Sequence, residues 1–221
     1  MIQLPDCPWR LVVSDLDGTL VRGTTALAHL GAWIGHEAVI EGLEEKLARH
    51  EVSDREVAEC YARFYRGVAL ADAVEAMSGI PSIDDIGLGV AMLRQRSVEV
   101  FIATVPWSFA ARGLADLWGF SQVCGADLEL DRASGLFTGR VAQHFEPDDK
   151  VAFVAEYRRR VGIGMEEVVA IGDSRSDLPL FRAVGFSVAL NASSDACAAA
   201  STTVEGSSFL AALHAVPGLL A

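Results

Sequence analysis

The run Arg10-Leu11-Val12-Val13-Ser14-Asp15-Leu16-Asp17-Gly18-Thr19-Leu20 decides the reading of the whole chain. Its first part is short, apolar and rich in β-branched residues, the composition of a buried strand. It passes directly into two carboxylates one residue apart, followed by Gly-Thr. In an open parallel α/β sheet, ligands sit beyond the carboxyl ends of the strands, so acidic groups placed just after a buried run face a crevice. Asp15 and Asp17 crowded there repel each other, and such a pair either takes up protons or recruits a cation. Oxygen ligands suit Mg²⁺, which also binds substrate phosphates. The same residues would serve a plain Asp-Gly turn at a strand end, so the rest of the chain has to decide.

Downstream, the pattern is helical for some sixty residues. Thr24 or Thr25 is placed to cap a helix to about Trp33, and a second helix follows Gly35 with Val39, Ile40, Leu43 and Leu47 on its apolar side. Ser53 and Glu56 have the spacing of a capping box opening a third helix, and a fourth covers about Leu70 to Met77 before Gly79-Ile80-Pro81. A block of this length is too long for an ordinary βα loop. The expectation is a helical cap at 22–81 inserted into a core made of 1–21 and 82–221.

From Ile83 onward, helices and strands alternate. Val98–Ala103 reads as a strand ending at Thr104, then come a helix over Phe109–Trp118, a hairpin pairing 127–130 with 137–141, a helix from Asp148 to about Arg160, and a strand over 168–171. That strand runs into Gly172-Asp173-Ser174-Arg175-Ser176-Asp177, and a helix at 178–184, a strand at 186–190 and two terminal helices follow. Alternation of this kind predicts an α/β fold with a doubly wound, mainly parallel sheet. Three strand ends then carry chemistry, Asp15/Asp17, Thr104 and Asp173, and parallel strands deliver them to one edge. Lys150 lies near the start of a helix after Pro147-Asp148-Asp149.

Bulk properties narrow the partners. The 221 residues carry a formal net charge of −12, which argues against a nucleic-acid or anionic-membrane surface, although a local metal overcomes global charge for a small phosphorylated ligand. No apolar run approaches the roughly 18 residues a membrane helix needs. Cys7, Cys60, Cys124 and Cys197 have no ligand or disulfide spacing and read as free thiols. The start, Met1-Ile2-Gln3-Leu4-Pro5-Asp6, has neither the basic end nor the apolar core of a signal peptide. The expected location is the cytoplasm.

Taken together, Asp15-Leu16-Asp17-Gly18-Thr19, Thr104 after its strand, Lys150, and Gly172-Asp173-Ser174-Arg175-Ser176-Asp177-Leu178-Pro179 resemble, in order and spacing, the four motifs of the haloacid dehalogenase superfamily. The helical block between the first two motifs, and the hairpin ending Phe137-Thr138-Gly139-Arg140, resemble its phosphoserine-phosphatase-like branch. The resemblance implies a Mg²⁺-dependent phosphomonoesterase working on a small phosphorylated metabolite. Asp15 would be the nucleophile that forms an aspartyl-phosphate, and Asp17 the general acid and base. Asp15, the Asp17 backbone carbonyl and Asp173 would hold Mg²⁺, while Thr104 and Lys150 bind phosphoryl oxygens. Gly18, Thr19 and Val105 would complete the phosphoryl site, Asp177 would orient Lys150 or a metal-bound water, doubling as a cap for the helix from Leu178, and Ser174 would order its loop.

Two positions depart from that branch. Where its phosphoserine phosphatases have a glutamate nine residues after the nucleophile, this chain has Thr24; where Gly-Gly follows the second-motif serine, it has Thr104-Val105-Pro106-Trp107. Both count against phosphoserine. Arg22, and with less support Arg63 or Arg66, are candidates to meet an anionic part of the substrate, and Trp107 and Tyr61 to form a flat apolar wall. The alternatives are phosphoserine phosphatase proper, a phosphotransferase or mutase, and, outside enzymes, a phospho-accepting regulatory domain.

Overall fold

The computed structural model describes residues 7–49 and 51–220; residues 1–6, on which the leader expectation rests, and His50 lie outside them. The opening apolar run is a strand, β1 (Leu11–Ser14), buried at every position. Four helices follow: α1 (Ala26–Trp33), α2 (Glu37–Ala48), α3 (Asp54–Phe64) and α4 (Leu70–Ala76). Thr25 caps α1, its hydroxyl accepting from the Ala28 N–H at 3.0 Å. Ser53 and Glu56 close the capping box on α3, a pair that satisfies two otherwise orphaned N–H groups. In α2, Ile40 is buried while Val39 faces solvent.

The alternating half supplies α5 (Ile86–Gln95), β2 (Glu99–Trp107), α6 (Ser108–Trp118), β3 (Gln122–Asp131), β4 (Leu136–Gln143), α7 (Pro147–Val161), β5 (Val168–Gly172), α8 (Leu178–Ala183), β6 (Phe186–Leu190), α9 (Ser194–Ala199), β7 (Thr202–Val204) and α10 (Phe209–His214). The sheet order is β4-β3-β2-β1-β5-β6-β7. Only β4 runs antiparallel; every other neighbouring pair is parallel. β1 sits between β2 and β5, with Leu11 opposite Glu99 on one side and Val168 on the other. The strand order reverses here, and the crevice of a doubly wound sheet opens at that switch point. Among the described residues no helix is long and apolar enough to cross a membrane, and all four cysteines are free.

Three details differ from the sequence reading. β2 does not end at Thr104 but continues through Pro106 to Trp107, because its pairing with β3 is interrupted between Ala103 and Trp107, where the missing proline N–H costs no ladder bond. β3 begins at Gln122, five residues before the expected start of the hairpin at 127. β7 lies between the two terminal helices, where Thr202–Val204 has no apolar alternation to announce a strand, and is held as a short sheet edge.

The helices between β1 and β2 are joined to the sheet by a cluster of rings and by backbone bonds. Tyr65 makes edge contacts with Trp107, Phe109 and Phe137 at ring separations of 6.2, 5.8 and 6.0 Å. The Gly67 N–H donates to the Phe137 carbonyl at 2.9 Å, the Phe137 N–H to the Val68 carbonyl at 2.9 Å, and the Leu70 N–H to the Gly135 carbonyl at 3.1 Å. The β2 irregularity brings its backbone hard against β3 at Gly125, where a Cβ would lie 2.6 Å from the Pro106 carbonyl oxygen. Backbone on both sides leaves no room to relax, so Gly125→Ala is expected to cost about 1–3 kcal/mol, measurable as a lower urea midpoint at unchanged slope; a midpoint equal to wild type would contradict this packing.

Candidate functional site

The carboxyl ends of β1, β2 and β5 meet at one edge, and α7 brings a fourth group to it. Asp15 follows β1 directly, its N–H donating to the Ile171 carbonyl of β5 at 2.8 Å, so its side chain leaves the sheet at the crevice. Lys150, in the first turns of α7, has no exposed surface. Its ammonium lies 2.7 Å from Asp15 Oδ1 and 2.7 Å from Asp177 Oδ1, with the Ser176 hydroxyl at 3.4 Å. Burial alone would lower the lysine; the charges of Asp15 and Asp177 outweigh it and hold the ammonium protonated well above its usual range. Asp15 is pushed up by burial, with Asp177 and Asp173 adding to the rise and Lys150 opposing it.

Asp173 follows β5. Its Oδ1 accepts from the Thr19 hydroxyl at 3.3 Å, and Gly18, at φ +85°, passes so close that any Cβ there would overlap the Asp173 carboxylate. Asp15, Asp173 and Asp177 each offer an oxygen within 4.8 Å of the others. Three carboxylates against one ammonium leave excess negative charge, and an all-oxygen set of this kind fits a hard divalent cation.

Asp177 stands at the N-cap position of α8, but its side chain makes no capping hydrogen bond there. Its Oδ2 instead accepts from the N–H groups of Asp173 at 3.0 Å and Ser174 at 3.2 Å, fixing the loop while Oδ1 fixes Lys150. The ammonium and two loop amides are stronger claims on the carboxylate than a helix terminus. The Ser174 hydroxyl lies 3.1 Å from that of Ser176. Asp17 Oδ1 accepts from the Ala26 N–H at 2.7 Å at the start of α1. The Thr104 hydroxyl is buried without a hydrogen-bond partner among the described residues, a cost relieved by any ligand oxygen that accepts its hydrogen bond. Arg22, a candidate to meet an anionic part of the substrate, donates from its guanidinium to the Gly18 carbonyl at 2.5 Å. Arg66 is likewise occupied, its Nε donating to the Thr138 carbonyl at 3.2 Å.

From Asp17, Thr25 and Ser176 a cavity of about 290 Å³ runs beneath the helices. Tyr61 and Trp107, the two candidates for an apolar wall, line it together with Val105, and so do Arg55, His144, Phe145 and Ser176, to which the sequence reading gives no role. Arg55 lies in the first turn of α3, Ser176 in a single 3-10 turn and the other two in the loop before α7, so no local pattern marks them, although His144 and Phe145 do lead directly into the helix that carries Lys150.

Two outcomes follow for stability. Lys150→Met strands two buried carboxylates and is expected to cost about 3–5 kcal/mol, whereas Lys150→Met with Asp177→Asn should cost less than the sum of the two single changes; additive denaturation energies would sink the pairing. Asp173 is pushed up to about 6, first by burial and then by Asp177. Between 3.8 and about 6 the folded chain keeps a proton the unfolded chain has lost, so this group's contribution falls as pH rises through that window and recovers on acidification. In EDTA, Asp173→Asn should therefore be more stable than wild type by about 1 kcal/mol at pH 7.5, allowing for solvent screening. Thermal melts should show that gap close by pH 4.

With this geometry in view, comparison with known proteins is informative. The phosphoserine phosphatase of Archaeoglobus fulgidus is 27% identical over 184 residues, 83% of this chain and 53% of the relative. Phosphoserine phosphatase SerB2 of Mycobacterium tuberculosis is 25% identical over 196 residues, 83% of this chain and 44% of the relative. The chain thus spans about half the length of these two relatives. Among solved structures, a substrate-bound phosphoserine phosphatase complex superposes with a TM-score of 0.79 at 17% identity, covering 94% of this chain and 98% of the other, a likeness of fold. The haloacid dehalogenase-like hydrolase model matches residues 12–182, from the first strand through the Asp173–Asp177 loop, and the chain belongs to that family.

Proposed function

We propose that the chain is a phosphomonoester hydrolase working through an aspartyl-phosphate on Asp15. The observation that carries this reading is the fully buried Lys150 ammonium held at 2.7 Å from Asp15 at the switch point of the sheet. On the neighbouring strand β2, the Thr104 hydroxyl is buried with no hydrogen-bond partner among the described residues. A buried cation and an unused donor at one sheet edge suit a group that carries several negative oxygens.

In this reading a carboxylate oxygen of Asp15 attacks phosphorus in line, the Asp15 O–P bond forms, and the P–O bond to the leaving alcohol breaks. Asp17 hands its proton to the departing oxygen; it then takes a proton from water, whose oxygen displaces the phosphoryl group and frees Asp15 and inorganic phosphate. Lys150 and Thr104 oppose the charge on the phosphoryl oxygens, Val105 borders them, and the Gly18-Thr19 turn keeps Asp173 in place. Asp177 and Ser174 act on Lys150 and on the loop rather than on substrate. Mg²⁺, held by the Asp15 and Asp173 carboxylates and the Asp17 carbonyl, would neutralise charge between nucleophile and phosphate. Residues 22–81 act as a cap over a core of 1–21 and 82–221, excluding bulk water during turnover. The substrate is a small phosphorylated metabolite, and four free thiols favour the reducing cytoplasm. The curated relatives are named for phosphoserine, which makes it the reference ester.

The test is phosphate release from a panel of phosphomonoesters, phosphoserine included, with Mg²⁺ or EDTA. Wild type is expected to turn over several esters only with metal, Asp17→Asn to lose about 10²–10⁴-fold, and Asp15→Asn to show no release above background. A panel untouched by wild type, or an Asp15→Asn protein as active as wild type, would overturn the reading.

A further inference from the structure

The cavity beyond Asp17 is lined chiefly by hydrocarbon and aromatic surface, with Leu27, Val57, Tyr61, Val105, Trp107 and Phe145 carrying most of it. The Tyr61 hydroxyl is turned to the Ile40 carbonyl at 3.4 Å. Two basic side chains reach the wall, and both lie against one carboxylate: Arg55 Nε is 3.5 Å and His144 Nε2 3.7 Å from Glu59 Oε1. An alcohol carrying a free ammonium and carboxylate would leave water for this surface and lose hydration that apolar walls do not return. A hydrocarbon alcohol gains on the same transfer.

Continuity fixes which part of the ligand belongs there. Asp17, the group placed to protonate the leaving oxygen, is itself on the cavity wall, as is Ser176 beside Lys150. A phosphoryl group between Asp15 and Thr104 therefore points its ester oxygen into the cavity. Resting on the hydrolase reading above, we propose that this cavity is the leaving-group site and that the natural substrate is the phosphomonoester of an apolar alcohol, aryl or branched alkyl. At about 30 Å³ per water-sized group, 290 Å³ accommodates about ten non-hydrogen atoms.

The experiment measures kcat/KM of wild type with Mg²⁺ on n-alkyl phosphates from ethyl to octyl, on 2-phenylethyl phosphate and on phosphoserine. Burial of each methylene is expected to raise kcat/KM about three- to fourfold until the cavity fills, and 2-phenylethyl phosphate should exceed phosphoserine by about 100-fold or more. Hydrolysis that is flat with chain length, or fastest on phosphoserine, would overturn the proposal while leaving the hydrolase reading intact. Titration calorimetry separates the two ideas if nothing is hydrolysed: 2-phenylethyl phosphonate should bind wild type at least tenfold tighter than ethyl phosphonate, with a more negative heat-capacity change. Equal binding of the two phosphonates would overturn the apolar site whatever becomes of turnover.

Discussion

The contact on which the rest depends is the one between the buried Lys150 ammonium and the carboxylates of Asp15 and Asp177. Desolvating a charge is expensive, and it is tolerated where partners are close and well oriented. Each of the three groups comes from a different part of the chain: the end of β1, the first turns of α7, and the loop after β5. Their meeting therefore requires the sheet to be in register and α7 to be packed against it. The electrostatics also do not close on themselves. With Asp173 added, negative charge exceeds positive, and burial first, then the neighbouring carboxylates, displaces Asp15 and Asp173 upward. A site left with a charge deficit by its own protein groups is one prepared for a cation and an anionic ligand together.

Much of this was legible in the chain. Apolar runs that end in Asp15, Thr104 and Asp173 announce buried parallel strands and their functional ends, because a strand covered on both faces has to be continuously hydrophobic. Lys150 illustrates the limit. Its sequence context, the acidic start of a helix, is that of a solvated residue, and only a tertiary contact turns it inward. Arg22 shows a second limit: a place beside a motif leaves the direction of its guanidinium open, and only the folded chain shows it donating to the Gly18 carbonyl. The cavity wall was the least readable part. Tyr61 and Val57 come from α3, Leu27 from α1, Val105 and Trp107 from β2, and Phe145 from the loop before α7, and no local periodicity records a surface assembled from so many elements.

The division of labour has a physical logic. Asp15, Thr104, Asp173 and Lys150 sit near the carboxyl ends of strands and on α7. Much of the cavity wall comes from helices whose own anchor is the Tyr65, Phe109 and Phe137 ring cluster and a few backbone bonds to the β4 hairpin. Side chains on the helical wall can change without disturbing Lys150 or Asp173. Thr24 and the Val105-Pro106-Trp107 segment lie at that boundary, and both are where the chain departs from the branch it resembles.

The placement of β1 in the middle of the sheet has a kinetic side. Its neighbours β2 and β5 are both remote in sequence, with the whole helical block on one path and most of the chain on the other. Loop-closure entropy has to be overcome before those pairings reward it, whereas the helices and the β3–β4 hairpin form from nearby residues. Asp15 reaches Lys150 only when a closure spanning 135 residues is complete. The buried charge cluster is thus absent from any state in which the central strand is unpaired, and a half-made chain does not expose an assembled site.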